Sequence, residues 1–359
     1  MQFLEVIEGW INRHFSNEEA IFLIVLLVVA FSILVFFGGL LAPVLTGLVL
    51  AFLLQGLVTK LVAWRIPKTG AVYLAFLLFV GVVSGMLLFL FPLVWRQLSA
   101  FVNTLPAMIE RLQKTIRELP DAFPNVIDSV QVETWLELAG GELGGYGRSL
   151  LETTVTQLPS VVGWFIYLIL VPISVFFFLK DGTKLMHWFA SMLPENRPLL
   201  NQVGAEMNVQ LANYVRGKVI EIFIVGSVCY ATFAFIGLNY AALLSILVGI
   251  SVLIPFVGAA IVTIPIMLVG YVQWGWNIDL LTLLICYGII QALDGNVLVP
   301  LLFSEANDLH PVAIIIAVLF FGGIWGLWGV FFAIPLATLV KAIMTAWPIQ
   351  SPAEHAPND

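Results

Sequence analysis

The stretch AIFLIVLLVVAFSILVFFGGLL, residues 20–41, decides the class of fold. It holds no Asp, Glu, Lys or Arg. About 20 apolar residues in a helix rising ~1.5 Å per residue cross a hydrocarbon layer ~30 Å thick. Comparable runs follow at 44–58, 71–94, 161–179, 219–238, 240–272, 280–299 and 312–347. The expected fold is an all-α polytopic membrane protein of about eight transmembrane helices. Two of the runs are broken by Pro and Gly, and an amphipathic helical segment separates spans three and four.

Composition agrees. The chain of 359 residues is 61% hydrophobic and 10% charged, with a mean hydropathy of +1.03. Soluble domains carry about 25% charged residues, so a water-soluble enzyme is excluded. Continuous apolar runs, as opposed to alternating ten-residue segments, argue against a β-barrel. The net charge of −7 leaves no basic stripe for nucleic acid. Cys229 and Cys286 both lie within apolar runs, which fits neither a disulfide framework nor a Cys-based metal site. No metal site or cofactor is expected.

The N-terminus is acidic at Glu5, Glu8, Glu18 and Glu19 and does not read as a signal peptide. Residues 4–15 suit a short interfacial helix anchored by Phe3, Trp10 and Phe15. The first two runs count as two crossings if Gly38-Gly39 and Pro43 form a turn between them. Five segments are expected: spans one to three (1–95), the amphipathic segment (96–158), the fourth span and its connection (159–215), a transport core (216–347) and a disordered tail (348–359).

Basic residues set the sidedness. Lys60, Arg65 and Lys68 stand without an acid in a short loop, where the positive-inside rule is strongest. Residues 180–218 are also net basic, whereas 96–158 carries five basic residues against eight acids. The first two are therefore expected in the cytoplasm together with both termini, and 96–158 outside. In that outer segment Leu98, Phe101, Leu105, Ile109, Leu112 and Ile116 recur at helical spacing. A lid, a contact between subunits and a substrate gate all remain open for it. The later stretch ending at Trp135–Leu138 continues the segment after a Pro break.

The second half repeats itself in outline. Residues 216–272 read as a span, a turn, and an apolar segment broken at Ile254-Pro255-Phe256-Val257-Gly258. Residues 280–347 read as a span, a loop, and a segment broken across Gly322–Gly329. Hairpins entering from opposite faces would make this an inverted-topology repeat, and interrupted segments in matching halves point to a transporter's binding site. Kinked spans are the alternative.

Few polar residues lie at membrane depth. Asp294 sits within the 280–299 run, and Gln291 shares its helical face. An intramembrane carboxylate costs at least ~2.5 kcal/mol and usually has a function or a partner. A hydrated turn at Asp294-Gly295-Asn296, ending the helix early, is the competing reading. Glu221 follows Lys218 by three residues and suits pairing or snorkelling at the inner interface. Asp181-Gly182 reads as a helix stop, and His310-Pro311 as a cap or turn. No P-loop, His-Glu-x-x-His, Gly-x-Ser-x-Gly, Arg ladder or Thr-Val-Gly-Tyr-Gly filter occurs. The chain is therefore expected to be no enzyme and no pump driven by its own ATP site, which favours a secondary transporter.

Several pieces together resemble the AI-2E family (autoinducer-2 exporter family, PerM-like permeases). They are Phe176-Phe177-Phe178-Leu179-Lys180-Asp181-Gly182, Tyr214-Val215-Arg216-Gly217, Ile254–Gly258, Gln291–Pro300, Leu309-His310-Pro311 and the 322–335 stretch. The resemblance covers essentially the whole chain and is strongest from about 160 to 345. It implies about eight spans, cytoplasmic termini, a bacterial inner-membrane location and export of small molecules, including the quorum-sensing signal autoinducer-2. It also implies that some members exchange cations for protons. Family motif positions fall on Asp294, Gly295, Asn296, Pro255, Gly258, His310 and Pro311, with Gln291 beside them. Asp181, Gly182, Arg216 and Glu221 carry the motif on the cytoplasmic side.

Three readings result: an exporter of a small polar organic solute, a Na⁺(Li⁺)/H⁺ antiporter using Asp294, and a membrane scaffold without transport. The bilayer and a small molecule or ion are the expected partners. A homo-oligomeric ring, such as a pentamer, is expected too, with the 96–158 helices between subunits.

Overall fold

The computed structural model describes residues 18–122, 128, 132–133, 161–195, 197–255, 257–303 and 309–346. The interfacial helix expected at 4–15, the stretch ending at Trp135–Leu138 and the tail at 348–359 lie outside the described residues. All regular structure among the described residues is helical. We number the helices α1 (Glu18–Ala63), α2 (Lys68–Gly85), α3 (Phe91–Ala122), α4 (Val161–Ser191), α5 (Pro198–Ile236), α6 (Ala241–Ser251), α7 (Val257–Trp274), α8 (Ile278–Leu293), α9 (Val299–Phe303) and α10 (Pro311–Ala346). Two π-helical turns, Met86–Leu90 and Asp294–Leu298, join α2 to α3 and α8 to α9. Among the described residues, seven helical stretches are long and apolar enough to cross a membrane, and α6 is a shorter apolar helix. The outer surface is apolar: Phe36 and Phe89 are each 80% exposed and Phe235 is 93% exposed. Rings placed so belong against lipid.

Two expectations need correction. The first two apolar runs form one helix, α1, which passes through Pro43 without a turn. A proline inside a membrane helix is tolerated where neighbours satisfy the freed carbonyl. The reading that kept the N-terminus on the side of residues 60–68 thereby loses the turn it needed. Second, Asp181-Gly182 does not stop a helix, since α4 runs on to Ser191. Most of the polar 180–218 region is itself helix, belonging to the end of α4 and the first half of α5.

The chain divides into two compact units. The first comprises residues 1–73, 170–217 and 303–359. Its core gathers Leu23 of α1, Leu199 and Val203 of α5, and Leu339 and Ile343 of α10. Glu19 accepts a hydrogen bond from the Leu200 amide at 2.9 Å, satisfying a donor in the first turn of α5. In α10 the backbone leaves the helix at Gly326, with φ 59° and ψ −137°. A Cβ at Gly329 would collide with the Phe321 carbonyl. In a straight helix residues eight apart stand ~12 Å apart along the axis. The chain therefore folds back at Gly326, and α10 is a helical hairpin.

The second unit comprises residues 74–169 and 218–302. Its core packs Val225, Cys229 and Phe233 of α5 against Leu244 and Val248 of α6, Ile266 and Val269 of α7, and Leu283 and Tyr287 of α8. Helices α6 and α7 also form a hairpin. Its tip is so tight that a Cβ at Gly258 would collide with the Ser251 carbonyl. Both broken segments are thus hairpins and not kinked spans.

The amphipathic α3 lies against this first hairpin. Gln97 Oε1 accepts from the Leu243 amide (2.8 Å), capping the start of α6. Thr104 Oγ1 and Tyr240 Oη are 3.0 Å apart, and Tyr271 Oη donates to Thr115 Oγ1 at 2.7 Å. The Phe101 and Tyr240 rings meet edge-on, and Met108 is buried in the core.

Candidate functional site

The site is built within the second unit from α5, the tip of the α6–α7 hairpin, and the π turn after α8. Lys218 and Glu221 are three apart on α5 and so share a face. Their side chains are 6% and 2% exposed, and Lys218 Nζ lies 2.8 Å from Glu221 Oε2. Lys218 Nζ also donates to the Val252 carbonyl at 2.9 Å. Val252 is the C-cap of α6, where helix carbonyls lack intrahelical partners. One buried ammonium therefore neutralises a carboxylate and caps the helix that forms the tip.

The π turn has a local cause. Pro300 has no N–H and its ring crowds the carbonyl four residues back. The Val299 amide accordingly bonds to the Asp294 carbonyl, five residues back. The other π turn is built alike: the Phe91 amide bonds to the Met86 carbonyl just before Pro92. A proline two residues past each turn widens the helix ahead of it. Asn296 Nδ2 donates to the Ala292 carbonyl at 2.8 Å and satisfies a group in the widened stretch. The early helix end of the competing reading at Asp294-Gly295 is absent, because the helix widens and continues to Phe303.

Asp294 Oδ1 and Gln291 Nε2 are buried, with no hydrogen-bond partner among the described residues. Asp294 lies close enough to Lys218 and Glu221 for the charges to act on one another. One turn before Gln291, Tyr287 Oη donates to the Ala259 carbonyl (3.2 Å), joining α8 to α7. The arrangement is one ammonium paired with one carboxylate, Glu221, and with a second, Asp294, in its field, beside a hairpin tip and a π turn, and π turns are frequent at functional sites. Among the described residues no group of three or more His, Cys, Asp or Glu is placed to hold a metal ion.

The other candidate residues fall as follows. Gly258 is buried at the hairpin tip and Pro255 is half-buried in it, whereas Gly295 and Asn296 are exposed on the π turn. Asp181 pairs with Lys184 on its own helix at 2.9 Å, and Gly182 lies beside it within α4. Arg216 belongs to the first unit. Its Nε is buried without a hydrogen-bond partner among the described residues, close to Gly56. In the same unit Tyr214 Oη donates to the Phe331 carbonyl at 2.8 Å, tying α5 to the returning arm of α10. His310 is exposed and its carbonyl accepts from the Ala313 amide at 2.8 Å, so His310-Pro311 opens α10 as a cap.

Lys218 is the residue that the sequence reading missed. The apolar run begins only at Val219, so in the sequence Lys218 reads as a boundary charge. In the structure it lies far inside α5, which begins at Pro198. The available signal was its spacing of three from Glu221, across Val219 and Ile220. Glu221 does pair, as expected, but it is buried and does not snorkel.

An all-α membrane protein with two helical hairpins and buried charges at a hairpin tip has the construction of a membrane transporter. The AI-2E family transporter model matches residues 21–349, and the chain belongs to that family. It is 43% identical to PerM of Escherichia coli (strain K12), named as a permease, over 96% of this chain and 98% of PerM. YueF of Bacillus subtilis (strain 168), named as a transport protein, is 27% identical over 92% of each chain. TqsA of Escherichia coli (strain K12), named an AI-2 transport protein, is 25% identical over 85% of this chain and 86% of TqsA. The protein is a multi-pass membrane protein of a transport family.

Proposed function

We propose that the protein is a secondary transporter of the bacterial inner membrane that exports a small polar organic solute of the autoinducer-2 type. Asp294, Glu221 and Lys218 form its charged centre. The carrying observation is the buried ammonium shared between Glu221 and the hairpin tip, with Asp294, whose Oδ1 is buried without a hydrogen-bond partner among the described residues, in its field. Such a charge set is expensive in a membrane and is retained for a solute or ion path. The printed name of TqsA and the family label support the solute class.

In this reading the α6–α7 hairpin enters from outside and the α10 hairpin from the cytoplasm, as an inverted repeat would have them. Residues 60–68 and the end of α10 face the cytoplasm, and copies assemble into a ring. A second reading, Na⁺(Li⁺)/H⁺ exchange, is favoured by a second buried carboxylate, Glu221, which pairs with Lys218 while Asp294 lies in the field of the same lysine. Membership of a transport family speaks against a scaffold.

Proteoliposomes separate the two. Autoinducer-2 efflux and Na⁺-driven proton movement are measured for the wild type, Asp294→Asn and Glu221→Gln. Solute flux lost in Asp294→Asn supports the exporter. Na⁺-dependent proton movement lost in that variant, with no solute flux in the wild type, replaces the exporter with the antiporter. Flux of neither kind would end both.

A further inference from the structure

The α6–α7 hairpin meets α5 along a smooth seam. A Cβ at Gly249 would stand 3.0 Å from the Ile222 carbonyl, so the two backbones approach without interlocking side chains there. Such a contact gives close packing but little resistance to sliding. At the deep end of this seam, Lys218 Nζ ties the Val252 carbonyl to α5. The same ammonium pairs with Glu221 and acts electrostatically on Asp294. An ammonium has three donors and no acceptor, and leaving it unpaired in a buried site is costly. It therefore needs carboxylate or carbonyl oxygens in every state of the protein. Asp294 Oδ1, buried without a partner among the described residues, is such an oxygen, and it sits on the π turn.

We propose that Lys218 is the latch of the α6–α7 hairpin and that Asp294 is its alternative acceptor. In the state described here, the ammonium closes the tip through the Val252 carbonyl. When the tip moves away, the ammonium turns to Asp294, so both states keep it paired and neither is prohibitively costly. The movement of the tip is thereby tied to the charge at Asp294. Lys218 is a positioning residue, acting on the solute path through the hairpin it holds. The proposal rests on the transport reading for its purpose, but not for its test.

The test is hydrogen exchange of the full-length protein in lipid nanodiscs, read at the tip amides of Leu253, Ile254, Val257 and Gly258. These amides are protected by bonds within the turn. The Lys218→Met, Glu221→Gln double variant removes both charges of the ion pair together, so neither partner is stranded by loss of the other. It is expected to speed exchange at the tip about tenfold or more, while the rest of α5 stays protected. Lys218→Arg, which keeps the charge and the donors, restores protection. Asp294→Leu removes the second acceptor and leaves the tip at least as protected as in the wild type. Unchanged tip exchange in the double variant would overturn the latch. An Asp294→Leu tip as open as that of the double variant would overturn the role of Asp294. Failure of the transport reading would appear as absent flux in liposomes with these exchange patterns intact.

Discussion

Gly329 rests against the carbonyl of Phe321, eight residues before it, because the chain reverses at Gly326 between them. The geometry sorts the glycines of this segment into those that need to be glycine and those that do not. Gly326 has φ 59° and ψ −137°, a region open essentially to glycine. Gly326→Ala is expected to cost about 1–3 kcal/mol. Gly329→Ala forces a shift of backbone and is expected to cost at least ~1–3 kcal/mol. Gly323 has open space around its Cβ position, so Gly323→Ala should be neutral or gain up to ~1 kcal/mol of helix propensity. Thermal unfolding in detergent reads all three. Equal tolerance at 329 and 323 would dispose of the hairpin.

The Lys218–Glu221 pair should behave as a unit. Removing one partner strands a buried charge and is expected to cost about 3–5 kcal/mol. Removing both, as Lys218→Met with Glu221→Gln, should cost less than either single change. A double-mutant cycle on unfolding measures the coupling. Additive effects would mean that the two charges are independently solvated.

Pro300 should control the π turn. Pro300→Ala restores a donor at 300 and removes the ring that crowds the Asn296 carbonyl. The stretch 294–298 is then expected to relax toward α-helix and turn the Asp294 side chain to a new bearing. Stability should hold or rise, while flux falls. A variant that transports like the wild type, with its π turn gone by structure determination, would show that the turn is dispensable.

The docking of α3 on the first hairpin rests partly on Tyr271 and Thr115. Tyr271→Phe and Thr115→Ala should each cost about 1 kcal/mol, and the pair together little more than one alone. Exchange across the α3 amides should rise in both. Unchanged α3 protection would place its anchoring elsewhere.

The sequence made the hairpins legible because Gly and Pro cluster where a membrane segment cannot continue as a plain helix. Asp294 was legible for a related reason: an acid flanked by apolar residues stands out against its cost. Lys218 was hidden by composition. The first half of α5 is polar enough to read as a loop, so a lysine at its far end looked like a boundary charge. Pro43 misled in the opposite direction. It reads as a turn, yet the residues on both sides are apolar, and a turn at the bilayer surface would normally recruit polar ones. The π turns depend on a proline acting two residues downstream, which no local pattern reports.

Between Glu19 and Lys60 no charged residue interrupts α1. That uncharged rod is about 60 Å long at ~1.5 Å per residue, twice the ~30 Å hydrocarbon depth of a bilayer. An upright posture would push some 30 Å of aliphatic surface into water. The rod must therefore lean steeply, bend at Pro43, or be sheathed by other protein along the excess. The first two remedies make the lie of the rod depend on how thick the surrounding bilayer is. Lipid chain length thus becomes a physical variable for this protein, acting through its longest helix.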